Sequence, residues 1–225
     1  MTWLLLNWPQ ALQLAWTHVL LSVPAITISV LVAVPLGRLA HRYPRPGGAL
    51  LSAASLLYAI PSLPLLIIIP VVLGIPLRSS ATMVVALSVY GVALLVRSAA
   101  DAFGAVDARV RLAATAIGFS PWALFWRVEL PLATPVLLAG VRVVVVSTVG
   151  LATIGALVGI PSLGSLFTDG FQRGIAGEVI TGIVATVALA LALDGACALT
   201  GRALTPWTRS ARSEHAGRHT GPVAA

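Results

Sequence analysis

The chain has 225 residues, 58% of them hydrophobic and 9% charged, with a mean hydropathy of +0.98, too apolar for an ordinary soluble domain. The formal charge is +7, yet the arginines stand at the ends of apolar runs and form no patch, which argues against nucleic acid as a partner. With no lysine anywhere there is no Walker A lysine, so the chain is not itself a P-loop ATPase.

Residues 1–17 carry Trp3, Trp8 and Trp16 but no basic residue, and are expected to form an N-terminal interfacial segment rather than a cleavable signal. Residues 18–39 are long enough to span a hydrocarbon core that needs about 20 residues, with His18 at the membrane interface. Pro24 and Pro35 are potential kinks. Arg38, His41, Arg42 and Arg45 follow in a hairpin whose turn residues are Pro44, Pro46, Gly47 and Gly48.

The second apolar stretch, residues 49–75, contains Tyr58-Ala59-Ile60-Pro61-Ser62-Leu63-Pro64, so its helix must bend or break in mid-span. Broken helices are tolerated in membranes where they are buried or line a cavity. A packing kink and a pathway-lining break with Tyr58, Pro61 and Ser62 are both compatible with this pattern. The third span covers residues 81–99, with Tyr90 midway, and the fourth 132–159. Residues 159–177 are too polar and glycine-rich to span and are expected outside, as a loop or re-entrant turn. The fifth span covers residues 178–200, and residues 208–225 form a basic tail expected to be disordered. The layout is an all-α integral membrane bundle of five spans, with a transmembrane domain over residues 18–207.

Between the third and fourth spans lies the longest polar-punctuated segment, residues 107–131 (DARVRLAATAIGFSPWALFWRVELP). Val110, Ala113, Ala114 and Ile117 fall on one face of a short helix, and the alanines make that face flat. Gly118 stands where such a helix would end in a left-handed residue. Ser120 caps a second helix with Pro121 at its first position. That helix carries Trp122, Phe125 and Trp126 and is expected to stop at Leu130, before Pro131. The product is a helix-turn-helix knob.

Arginine placement orients the chain. With five spans and the N-terminus outside, Arg38, Arg42, Arg45, Arg97, Arg109, Arg111, Arg127, Arg202, Arg209, Arg212 and Arg218 lie inside, 11 of the 14, while Arg78 and Arg173 lie outside. The knob is then cytoplasmic. Arg142 remains about 15 Å inside the fourth span and Asp194 about 9 Å inside the fifth. A structural ion pair between them and a gate built around Arg142 are the two readings. No paired carboxylates, Ser-His-Asp set or His/Cys cluster points to catalysis or a metal, and Cys197 reads as a small core residue.

The loop resembles the cytoplasmic loop of ABC importer permeases, whose pattern is Glu-Ala-Ala, three residues, Gly, and about a dozen residues later Leu-Pro. The matching positions are Leu112, Ala113, Ala114, Gly118, Leu130 and Pro131, with Leu112 in place of the usual acid; Arg111 and Phe119 flank them. The resemblance implies a coupling helix that docks on an ATP-hydrolysing subunit. It extends over residues 17–207 to the branch that imports osmoprotectants such as glycine betaine, choline and carnitine, carried by Ile60-Pro61-Ser62-Leu63, residues 128–142 and Ala152-Thr153-Ile154. It implies a bacterial inner-membrane permease subunit that is not an enzyme, paired with a second permease subunit, two ATPases that bind ATP and Mg, and an extracellular or periplasmic substrate-binding protein. No cofactor is expected in this chain. A methionine-type amino-acid importer is the alternative within the class. A self-sufficient secondary carrier would need intramembrane acids or inverted repeats, which Asp194 alone does not supply.

Overall fold

The computed structural model describes residues 2–206, which are all-helical with no strand among them. The basic tail expected over 208–225, with Arg209, Arg212 and Arg218, lies outside the described residues. Among the described residues nine α-helices run in order: α1 Thr2–Arg42, α2 Pro44–Ala59, α3 Ser62–Leu73, α4 Ser80–Gly104, α5 Ala108–Ala116, α6 Pro121–Leu124, α7 Leu130–Ala152, α8 Gly164–Gln172 and α9 Ala176–Leu204.

The chain begins differently from expectation. The segment 1–17 is not set apart, because from Thr2 it is continuous with the first span in one 41-residue helix, bent only at Asn7 (φ −122°, ψ 19°), two residues before Pro9. At about 1.5 Å per residue α1 is about 60 Å long, twice the hydrocarbon thickness of about 30 Å. The hairpin after it is tighter than its glycines suggest. Only Tyr43 separates α1 from α2, and Gly47 lies inside α2, where a Cβ would sit 2.1 Å from the Ala40 carbonyl oxygen.

Among the described residues four helices are long and apolar enough to cross a membrane, and the pair α2 and α3, bent by 111° at Pro61, makes a fifth crossing when counted as one. The chain's own contacts decide in favour of five. His41 at the end of α1 lies beside Gly104 at the end of α4, so these two helices run parallel. The α2–α3 pair must therefore carry the chain to the opposite end, where Arg78 meets Gly159. The crossing of α1 and α4 is close: a Cβ on Gly91 would lie 2.1 Å from Ser29 Oγ, and one on Gly37 would lie 2.4 Å from Ala99 Cβ. The apolar core runs through this contact, with Leu21, Ala25, Ala33, Met83, Leu95 and Val144 buried among neighbours from α1, α4 and α7.

Two further segments depart from the sequence reading. Pro131 does not end a helix. A π turn, Phe125–Glu129, joins α6 to α7 without a break, with the Leu130 N–H reaching back to the Phe125 carbonyl. The wider turn relieves the clash that a proline ring makes with the carbonyl four residues before it. Residues 159–177, expected as a glycine-rich loop, contain α8 packed on α9. Gly164 fits only because it has no Cβ, which would fall 2.0 Å from the Thr153 carbonyl oxygen.

Candidate functional site

The knob at one end of the bundle is built as a capped turn. Asp107 Oδ1 accepts from the Arg109 N–H at 2.8 Å and starts α5. At its far end the Gly118 N–H donates to the Thr115 carbonyl and the Phe119 N–H to the Ala114 carbonyl, at 3.0 and 3.1 Å, with Gly118 at φ +93°. Those two bonds are the Schellman pattern, which requires a left-handed residue at Gly118. Ser120 then accepts from the Ala123 N–H and Pro121 opens α6. The left-handed Gly118, the Ser120 cap and Pro121 at the first helical position stand as expected.

The knob's exposed side is apolar. Leu112 is 70% and Ile117 77% exposed, Val110 and Ala113 are exposed, and Gly118 has nothing within 4 Å of where a Cβ would stand. Ala114 alone of the flat face is buried against the bundle. Arg111 turns inward, its Nη1 3.1 Å from His41 Nε2 and 3.4 Å from the Phe103 carbonyl oxygen, and half-buried Phe119 lines the hollow beside it. Leu130 and Pro131 are half-buried in the continuous helix and contribute to the knob's root rather than its surface.

What fixes that root was not visible as a motif. Arg38 of α1 reaches across the bundle to Glu129 of the π turn, with Nε and Nη2 each 2.9 Å from Oε2, and its guanidinium lies 4.1 Å over the Phe125 ring. Phe125 is buried against Phe103 and Trp126. The first span is thus bolted to the knob through a charged contact. Nothing in the spacing of Arg38 and Glu129, 91 residues apart, pointed to it.

The break in the second span brings Tyr58, Pro61 and Ser62 together with Tyr90 of the third span. Ile60 is extended (ψ 127°) before Pro61, as a residue before proline must be, and its carbonyl leaves the helix ladder. The Tyr90 hydroxyl donates to that carbonyl, and Tyr58 meets Tyr90 edge to face at 6.1 Å between ring centres. Tyr58, Pro61, Ser62 and Tyr90 line one open hollow of about 460 Å³, with Ser147 and Gly150 of α7 on its other side. Those two small residues carried no signal in the sequence.

Arg142 and Asp194 form a bidentate ion pair, Nε to Oδ1 at 2.7 Å and Nη2 to Oδ2 at 2.6 Å, between α7 and α9. The Arg142 side chain is 49% exposed on the bundle's flank rather than inside it. His18 is a correction in the opposite sense: expected at an interface, it is fully buried. Its Nδ1 accepts from the Leu163 N–H at 3.3 Å, so the proton lies on Nε2, which donates to the Val149 carbonyl at 3.0 Å. That neutral imidazole ties α1 to α7 and to the segment leading into α8. Among the described residues no group of three His, Cys, Asp or Glu is placed to hold a metal.

Residues 25–205 match the family model of the binding-protein-dependent transport system inner membrane component. The chain belongs to that family. It is a permease of the ABC importer type, 29% identical over 206 residues to the glycine betaine/carnitine/choline transport system permease protein OpuCB of Bacillus subtilis (strain 168), spanning 92% of this chain and 94% of that protein. To the choline transport system permease protein OpuBB of the same organism this permease is 30% identical over 200 residues, 89% of the chain and 91% of the relative. To the osmoprotectant import permease protein OsmW of Salmonella typhimurium it is 31% identical over 187 residues, 81% and 86%. Its fold is that of the inward-facing MetNI methionine ABC transporter, with a TM-score of 0.76 at 21% identity over 86% of this chain and 95% of that one. Permeases of this family are transport subunits that work with ATP-binding subunits and a binding protein.

Proposed function

We propose that this permease forms the membrane pathway of an importer for quaternary-amine osmoprotectants, of the kind represented by glycine betaine, choline and carnitine. The observation that carries the reading is the near full-length match to permeases whose names specify those solutes or osmoprotectants as a class. The Tyr58–Tyr90 hollow suits such a cargo, because a quaternary ammonium donates no hydrogen bond and is held by aromatic faces. Two rings from one chain do not complete a cage. High-affinity recognition is therefore assigned to a separate extracellular binding protein, with the hollow as a weak, transient site that Pro61 and Ser62 help to open.

In this reading two permease subunits, identical or paired with a similar chain, enclose the pathway, and two ATP-binding subunits hold ATP and Mg. The exposed face of Leu112, Ala113 and Gly118 docks on the ATPase, while Arg111 and Phe119 brace it from behind. Leu112, where the family's acid stands, makes this contact apolar instead of ionic. The N-terminus lies outside and the C-terminus in the cytoplasm of a bacterial inner membrane, as the arginine distribution favours. The Arg142–Asp194 pair braces α7 against α9 during gating.

The test is uptake by the reconstituted importer. Labelled glycine betaine or choline should enter vesicles only with ATP, the ATPase and the binding protein present. Methionine uptake in place of betaine would keep the machine and replace the cargo. Robust uptake by this chain alone would refute the importer reading.

A further inference from the structure

An elongated cleft runs along the outside of the bundle between α1 and α7, about 670 Å³ in volume, and nothing in the transport cycle described above uses it. Its walls are aliphatic, from Val30, Val34, Leu137 and Val141, and it continues past Val30 and Val141 into a second hollow of about 420 Å³ beside α9. From Val30 to Leu39 it follows ten residues of α1, about 14 Å over nine steps of about 1.5 Å, the depth of one leaflet of a hydrocarbon core about 30 Å thick. Its mouth, at the knob end, changes character. Tyr43, Trp122 and Trp126 rim it, the residue types that settle at the headgroup level of a bilayer.

Charge completes the pattern. Arg38 and Arg42 both line the mouth, and a smaller hollow of about 450 Å³ behind them adds Arg111. Three guanidinium groups there face one carboxylate, Glu129, which is already engaged by Arg38. Arg42 is exposed, stacks on Tyr43 at 5.9 Å, and makes no ion pair among the described residues. An apolar channel one leaflet deep, an aromatic rim and an uncompensated Arg42 at its mouth together match a lipid's acyl chain, glycerol region and anionic headgroup. A protein helix laid in the same cleft would strand Arg42 unless it brought a carboxylate to the same depth.

We infer that this cleft is a binding site for one phospholipid with an anionic headgroup, drawn from the leaflet on the knob's side, its phosphate on Arg42 and an acyl chain along α1 and α7. The occupied cleft links the lipid to the root of the knob, since Arg38 and Phe125 form one of its walls. This goes beyond the transport assignment and does not depend on the cargo.

Native mass spectrometry of the purified full chain in detergent tests it, with phosphatidylglycerol, phosphatidylcholine and inorganic phosphate as probes. One phosphatidylglycerol should be retained at a concentration about fivefold below that needed for phosphatidylcholine, the effect of one arginine near a headgroup. Arg42→Gln should erase that preference. Leu39→Glu, an exposed substitution that puts a carboxylate in the cleft wall, should lower retention of both lipids. Arg45→Gln removes the same charge nearby, outside the cleft, and should change nothing. Equal retention of the two lipids by the unaltered chain, an equal loss with Arg45→Gln, or displacement of the lipid by inorganic phosphate would each overturn the site.

Discussion

Truncating Arg38 tests whether the knob is tied to the first span. Its guanidinium meets Glu129 Oε2 through two nitrogens at 2.9 Å and covers Phe125 at 4.1 Å. The two side chains are 23% and 14% exposed, so the pair falls between a surface ion pair, worth about 0.2–1 kcal/mol, and a charge-assisted bond out of water, worth about 1.5–3 kcal/mol. A double-mutant cycle of Arg38→Ala and Glu129→Ala should return a coupling of about 1–2 kcal/mol. Arg38→Ala should cost more than Glu129→Ala by about 0.5–1 kcal/mol, because it also uncovers Phe125. Thermal or denaturant unfolding of the purified chain, followed by tryptophan emission, reads the cycle; Trp126 meets Phe125 edge to face at 4.9 Å and senses the junction. Amide exchange over residues 121–130 should rise in each single variant. Single effects that add to within about 0.3 kcal/mol would show that the two residues act separately and that the bolt between α1 and the knob does not exist.

Gly118→Asp should insert and fold, since no neighbour stands within 4 Å and the cost is confined to a backbone at φ +93°, about 1 kcal/mol; it should nonetheless fail to co-purify with the ATPase, and intact uptake would make Gly118 a mere loop residue. Gly91→Leu should abolish folded protein, because its Cβ alone would collide with Ser29, whereas Gly48→Ala, which faces open space, should be silent in the same expression and size-exclusion assay. Asp194→Ala strands the Arg142 charge on the bundle's flank and should reduce the folded yield, and the Arg142→Asp/Asp194→Arg exchange should recover part of it; recovery by Arg142→Ala alone would mean that the pair has no specific geometry to preserve. A reporter active only in the cytoplasm should work when fused after Trp207, beyond the described residues, and fail within residues 168–174.

The knob was legible because its turn is local chemistry. Gly118, Ser120 and Pro121 each fix the backbone within a few residues of themselves, so the sequence alone specified that turn; the Asp107 cap is equally local but was not read from it. Pro61 was legible for the same reason. Pro131 misled because a local rule was applied to a residue whose clash is relieved by the π turn before it, and nothing in residues 125–129 advertises a wider helix. His18 and Arg38 were invisible as partners: their contacts lie 131, 145 and 91 residues away in the chain, and only the packing of α1 against α7 brings them together. The small residues of the hollow, Ser147 and Gly150, have no periodic signature in an apolar span. The Arg142–Asp194 pair could be guessed, since each charge in a span needs a partner, but its position on the flank depends on how α7 and α9 cross.

The claim on which the rest depends is that the exposed face of α5 receives the ATPase. Cys197 is the chain's one cysteine, so a Cys197→Ser background carrying Ala113→Cys offers a single thiol on that face. With the assembled importer in vesicles, a short thiol-reactive crosslinker at this position should capture the ATP-binding subunit, with a yield that changes when ATP is added, and the same probe at Gly48 should capture nothing. Capture at Gly48 but not at Ala113, with uptake intact, would contradict the coupling role of the knob.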